Sequence, residues 1–128
     1  MQIKKLTPNL IVRNVEASMK FYREVLGLET AMTVPEQAPY VFAGVGNGVV
    51  EVFFNDQKVV AAEYPKLATT IGASLTLYME VDSLEAVLER VNKAGAKISM
   101  PVTEQFYGMK EFAFEDADGY TITIAEKM

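Results

Sequence analysis

Val12-Arg13-Asn14-Val15-Glu16-Ala17-Ser18-Met19, in a segment closed by Gly27, returns later in the chain as Val81-Asp82-Ser83-Leu84-Glu85-Ala86-Val87-Leu88, closed by Gly95. A shift of 69 positions pairs Val12 with Val81, Val15 with Leu84, Glu16 with Glu85, Ala17 with Ala86 and Met19 with Leu88, and one gap later Gly27 meets Gly95. An internal repeat of this kind constrains the whole architecture. Each copy reads as the end of a strand followed by a helix. Asn14 is a suitable N-cap, and Val15, Met19, Tyr22 and Leu26 recur at helical spacing up to Gly27. The second helix runs from about Ser83 to Ala94, with Leu84, Val87, Leu88 and Val91 as its apolar stripe.

Outward from these helices the chain alternates as strands do. Lys4 to Val12 places Pro8, Leu10 and Val12 on one face and Thr7, Asn9 and Ile11 on the other. Ala73 to Val81 places Leu75, Leu77, Met79 and Val81 opposite Ser74, Thr76, Tyr78 and Glu80, and the 69-residue shift lays Thr7 on Thr76. Three strands should follow the first helix, at Glu29–Val34, Tyr40–Val45 and Gly48–Asn55, broken by Pro35, Pro39 and the turn Gly46-Asn47-Gly48. Three should follow the second, at Lys97–Val102, Met109–Glu115 and Tyr120–Glu126. The stretch from Asp56 to Gly72 reads as a linker with a short helix near Val59 to Tyr64. The expectation is an α+β domain over residues 1–128, built of two β-α-β-β-β modules at about 4–55 and 73–126 with a linker at about 56–72. Each module is a sheet with one helix on one face, which leaves the opposite faces to curve around a shared cavity. A ferredoxin-like sandwich would have two strands after each helix instead of three.

Composition removes several function classes. The 128 residues hold no cysteine, so disulfides, zinc–thiolate sites and thiol nucleophiles are excluded. They hold no histidine, which removes the commonest general base near neutral pH and the commonest metal-binding imidazole. Twelve Lys and Arg against seventeen Asp and Glu give a net charge of −5, with no basic cluster longer than Lys4-Lys5, so nucleic acid is not an expected partner. The carboxylate surplus favours cations by long-range steering. No apolar run approaches the roughly 20 residues that span a bilayer. Met1-Gln2-Ile3-Lys4-Lys5 leads into strand pattern without the apolar core of a signal peptide, so a cytoplasmic, non-membrane protein is expected.

The order of motifs along the chain resembles the vicinal-oxygen-chelate superfamily of glyoxalases, bleomycin-resistance proteins and dioxygenases, which is built from paired β-α-β-β-β modules. The residues that carry this are Ile11-Val12-Arg13-Asn14-Val15, Phe21-Tyr22, Val25-Leu26-Gly27-Leu28 and the closing Phe112-Ala113-Phe114-Glu115-Asp116-Ala117-Asp118-Gly119-Tyr120, where Ala117 replaces a usual proline. In metal-dependent members, four inward positions carry His, Gln or Glu. The resemblance places them on Thr7, Glu51, Thr76 and Thr123, and only Glu51 keeps a ligating group. The repeat supports the register independently, because Thr7 and Thr76 are equivalent under it. Neutral hydroxyls bind divalent transition ions poorly, so neither a metal nor a cofactor is expected.

Among metal-free relatives the nearest likeness is to bleomycin-resistance proteins, which sequester a cationic drug. Pro8 stands where those proteins have a first-strand proline associated with exchange of that arm between subunits, and Glu104 to Ala113 resembles their aromatic loop. The resemblance implies a homodimer that binds a small molecule in grooves across the interface. Glu51, in the otherwise apolar run Val49 to Phe54, is the candidate to receive a cationic group, or to act as base if catalysis survives. Thr7, Thr76 and Thr123 are candidate polar anchors, although threonine also simply suits strands. Tyr40, Phe42, Phe53, Tyr78, Phe106 and Tyr107 are candidate stacking surfaces for a flat cation. Sequestration of an antibiotic-like molecule is thus the first reading. A degenerate lyase or isomerase using Glu51 is the second, and a structural or regulatory domain with an unused cavity is the third.

Overall fold

The computed structural model describes residues 1–72 and 74–128. The chain divides into two compact units, residues 1–23 with 27–70, and residues 24–26 with 71–128.

The first unit contains β1 (Asn9–Val12), α1 (Val15–Leu26) as far as residue 23, β2 (Glu29–Val34), β3 (Phe42–Gly46), β4 (Glu51–Asp56), the short α2 (Gln57–Val60) and a 3-10 turn at Leu67–Thr69. Its sheet has the order β1-β4-β3-β2, with β1 parallel to β4 and the other pairs antiparallel. Asn14 starts α1 because its backbone is extended and its side chain accepts from the Ala17 N–H at 2.8 Å. Gly27 ends the helix in the left-handed conformation at φ 68°, its N–H returning to the Arg23 carbonyl. The stripe Val15, Met19, Tyr22 and Val25 is buried, and the Tyr22 ring meets Phe54 edge-on at 4.9 Å. Register puts Val52 and Phe54 of β4 beside Val45 and Ala43 of β3, and Leu10 beside Phe54, so these buried residues share one face.

The second unit repeats this plan with β5 (Thr76–Glu80), α3 (Leu84–Ala94), β6 (Ile98–Glu104), β7 (Met109–Glu115) and β8 (Thr121–Lys127), in the order β5-β8-β7-β6 with β5 parallel to β8. Ser83 caps α3 through the Ala86 N–H at 3.2 Å, and Gly95 closes it at φ 70°. The Glu126 carboxylate also accepts from the Leu84 N–H at 2.7 Å, which satisfies a further donor of the first turn. The helix lies on β7 and β8, where Phe112, Phe114, Ile122 and Ile124 are fully buried with Leu84 and Val91. Asp116 folds the last turn by accepting from the backbone of Asp118 and Tyr120. The edge strand β6 carries Pro101 and two breaks in its pairing with β7, between Ile98 and Met100 and between Met100 and Thr103.

Both long helices, β2 and β7 lie where the periodicity placed them, except that Ser83 is the cap rather than the first turn. The remaining boundaries move for identifiable reasons. The strand expected from Lys4 begins at Asn9, where the ladder with β4 starts; just before it the Pro8 carbonyl accepts from the Phe53 N–H at 2.9 Å. Those expected at Tyr40–Val45 and Gly48–Asn55 occupy Phe42–Gly46 and Glu51–Asp56. Asn47 holds the backbone of Val49 and Val50 in the turn, at 2.9 and 2.8 Å. The short helix lies at Gln57–Val60 instead of near Val59–Tyr64, because Asp56 caps it through Lys58 and Val59. The strand expected at Ala73–Val81 is observed at Thr76–Glu80, with residue 73 outside the described residues. Those expected at Lys97–Val102 and Tyr120–Glu126 are Ile98–Glu104 and Thr121–Lys127, the latter starting late because Asp116 takes the Tyr120 N–H. Among the described residues no helix is long and apolar enough to cross a membrane.

Replacing Phe54 by Ala removes the ring on which α1 packs and should cost about 3–5 kcal/mol. Asn14→Ala and Ser83→Ala, which remove equivalent caps, should each cost about 1 kcal/mol. Urea unfolding followed by circular dichroism checks all three.

Candidate functional site

The helix covers one face of each sheet, and the candidate residues lie mainly on the other. In the first unit Thr7 donates to Glu51 Oε1 at 3.1 Å, and the Lys5 ammonium reaches the same oxygen at 2.7 Å. Lys5 therefore holds the Glu51 carboxyl below its usual range; partial loss of water opposes this and the Thr7 hydroxyl assists it. Thr30, Gly46, Val50 and Glu51 line an open cavity of about 300 Å³ with Lys5 and Glu29. Further along the same face Phe42 and Phe53 meet edge to face at 5.0 Å. Gly44 makes room for them, since a Cβ there would sit 3.2 Å from both Phe53 Cε1 and Met32 Cγ. Tyr40 lies outside β3, with its N–H donated to Glu16 of α1 at 2.6 Å, so its backbone is tied to the helix and not to the sheet.

In the second unit the hydroxyls of Thr76 and Thr123 are 2.7 Å apart. The repeat thus recurs in the chemistry: a threonine hydrogen-bonds a last-strand side chain in each unit, Thr7, just before β1, with Glu51 and Thr76 of β5 with Thr123. Beside the second pair stands a group that sequence reasoning missed. Glu111 on β7 is only 3% exposed, and its two oxygens accept from two phenols, Oε2 from Tyr78 and Oε1 from Tyr107 at 2.8 Å. Hydrogen bonding to Glu111, reinforced by burial, pushes the Tyr78 phenol up to about 12 and raises Tyr107 as well. Tyr107 sits in the β6–β7 turn, where the Gly108 N–H returns to Gln105, and its ring meets Phe106 at 5.2 Å. Phe106 is 99% exposed, and Tyr78 and Tyr107 are each 52% exposed. The available signal for Glu111 was a charged residue sharing its strand face by parity with Met109 and Ala113, while Phe112 and Phe114 lie on the opposite face.

The structure thus joins Thr7 with Glu51, Phe42 with Phe53, Thr76 with Thr123, and Tyr78 with Tyr107 through Glu111. Tyr40 joins none of these groups. A divalent metal does not fit the four positions that the family resemblance implies. Glu51 is engaged by an ammonium, the threonines are neutral, and among the described residues no three acidic side chains converge as ligands.

A family model described as the Glyoxalase/Bleomycin resistance protein/Dioxygenase superfamily matches residues 3–124. No curated protein matches the sequence. Among solved structures the chain is similar to TioX from Micromonospora sp. ML1, with TM-score 0.77, 15% identity, and 98% of this chain and 99% of that one covered. It is similar to the hypothetical protein SA1046 from S. aureus, with TM-score 0.80, 20% identity and coverage of 98% and 95%. It is also similar to a glyoxalase/bleomycin resistance protein/dioxygenase family enzyme from Burkholderia phytofirmans PsJN, with TM-score 0.77, 23% identity and coverage of 95% and 97%. At these identities the likeness is one of fold.

Lys5→Met should return the Glu51 carboxyl upward towards 4.5, read by carboxyl-carbon NMR titration. Glu111→Gln should lower the Tyr78 phenol from about 12 towards 10, read by phenolate absorbance. Because the folded-state value is raised, the hydrogen bond to Tyr78 stabilises the fold fully below pH 10 in the wild type. That contribution should fade as pH rises from 10 to 12, which unfolding midpoints across this window will show.

Proposed function

This chain belongs to the glyoxalase/bleomycin resistance protein/dioxygenase superfamily, and we propose that it binds and sequesters a small cationic organic molecule as a metal-free homodimer, without transforming it. The observation that carries this reading is the state of Glu51, the one carboxylate left at the family's ligand positions. Lys5 and Thr7 already hold it, and the lowered carboxyl is a poor proton acceptor near neutral pH. A lyase or isomerase that used Glu51 as base would need the opposite shift. The threonines at the other three positions are satisfied by their neighbours and offer no proton-transfer group. Exposed aromatic surface remains at Phe106, Tyr107 and Tyr78, and Phe42 and Phe53 of the first unit are half-buried. Aromatic faces in a chain of net charge −5 suit a flat cation.

Thermal-shift and calorimetric titration with a panel of aromatic cations, followed by mass spectrometry of the recovered ligand, tests the proposal. At least one compound should bind saturably, raise the melting temperature by several degrees and return chemically intact, and native mass spectrometry should show two subunits. Turnover of a bound compound that Glu51→Gln abolishes would instead establish the enzymatic reading. A panel that leaves the melting temperature unmoved would favour a structural or regulatory domain.

A further inference from the structure

The second sheet holds a buried anion that the inherited ligand positions do not account for. Glu111 lies in one cross-strand row with Ala125 of β8 and Glu80 of β5, and is paired across β6 with Thr103. None of these offers it a positive charge. Lys127 pairs with Glu80, Lys97 with Glu115, and among the described residues no Lys or Arg pairs with Glu111. What holds it is two phenol hydroxyls, one arriving from β5 across the small residues Thr123 and Ala125, the other from the β6–β7 turn. Phenols hydrogen-bond a carboxylate without neutralising its charge. A leucine or methionine would fill this strand position without the penalty of withdrawing an anion from water. The phenols use two of the roughly four lone-pair sites of the carboxylate, leaving acceptor capacity on both oxygens. Around it stand the half-exposed rings of Tyr78 and Tyr107 and the fully exposed ring of Phe106.

We propose that Glu111, Tyr78 and Tyr107, with Phe106 beside them, form a receptor for a nitrogen cation that carries N–H donors on a flat aromatic body, an amidinium, guanidinium or protonated amine. This deepens the sequestration reading and rests on it, moving the charge-recognising residue from Glu51 to Glu111. The carboxylate supplies the counter-charge and accepts the N–H groups, which makes charge-assisted hydrogen bonds the main term. The tyrosine rings supply cation–π attraction and contact area at small entropic cost. Because both phenols stay protonated well above neutral pH, they add no negative charge to that of Glu111, while the nearby Glu80 carboxylate is paired with Lys127.

The test is titration of the full chain with benzamidine, the neutral isostere benzamide and the quaternary benzyltrimethylammonium, by calorimetry and by NMR of carbon-13-labelled glutamate carboxyls. Benzamidine should bind saturably, at least tenfold more tightly than benzamide, and more tightly than the quaternary cation, which lacks N–H donors. It should move the carboxyl signal of Glu111 and leave that of Glu51 in place. Glu111→Gln should weaken benzamidine at least tenfold with the circular dichroism spectrum unchanged. If that variant fails to fold, the carboxyl shifts in the wild-type protein decide the matter alone. Equal binding of benzamidine and benzamide, or a shift confined to Glu51, overturns the proposal. Should benzamidine fail while another panel cation binds and is returned intact, this receptor falls and the sequestration reading stands. Should benzamidine dock on Glu111 while a panel compound is turned over, the reverse holds.

Discussion

Tyr22 packs edge-on against Phe54 at 4.9 Å, and that contact decides which face of the first sheet is interior. Side chains alternate along a strand, so placing Phe54 under α1 sends Glu51 and Phe53 to the other side. The pairing of β4 with β1 and β3 then carries the same division across Asn9, Gly44 and Gly46. In the second unit Phe112 and Phe114 play this part, and their burial beneath α3 sends Glu111 and Ala113 to the opposite face of the sheet, where they too are buried. One long helix lies on each sheet, joined in the first unit by the short α2 against β1 and β4. The polar chemistry of the protein is therefore set by which residues these helices do not cover.

The two uncovered faces place a carboxylate in partly dry surroundings and treat it differently. Glu51 receives an ammonium, which cancels its charge and pulls its proton affinity down. Glu111 receives two hydroxyls, which satisfy geometry and leave the charge in place. The first arrangement is closed electrostatically. The second has one hydrogen bond on each oxygen and no countercharge, and its effect appears in the raised phenols of Tyr78 and Tyr107. Proton-transfer chemistry is poorly served by the lowered Glu51 carboxyl, whereas recognition of a positive charge suits the Glu111 arrangement.

How far all this could be read beforehand depended on whether the deciding forces were local. Asn14, Gly27 and Gly95 fix helix ends through bonds within a few residues of themselves, so α1 and the end of α3 were legible. Strand limits depended on partners: alternation continues back to Lys4, but the ladder on β4 begins only at Asn9. The Thr7–Glu51 and Thr76–Thr123 pairs were foreshadowed by the repeat combined with the family resemblance. Glu111 was not, because its significance lies in Tyr78, 33 positions away and two strands distant in the sheet. No spacing rule links those residues until the order β5-β8-β7 is known.

The outer strand β6 has a bearing on how this protein behaves in a crowd. An edge strand with regular, unpaired backbone groups is a template for another chain, and stacked sheets and fibrils grow from such templates. Here Pro101 withholds an N–H, and the two slips in pairing spoil the straight run of donors and acceptors that an incoming strand would need. Sheet extension through β6 is thereby discouraged at high concentration.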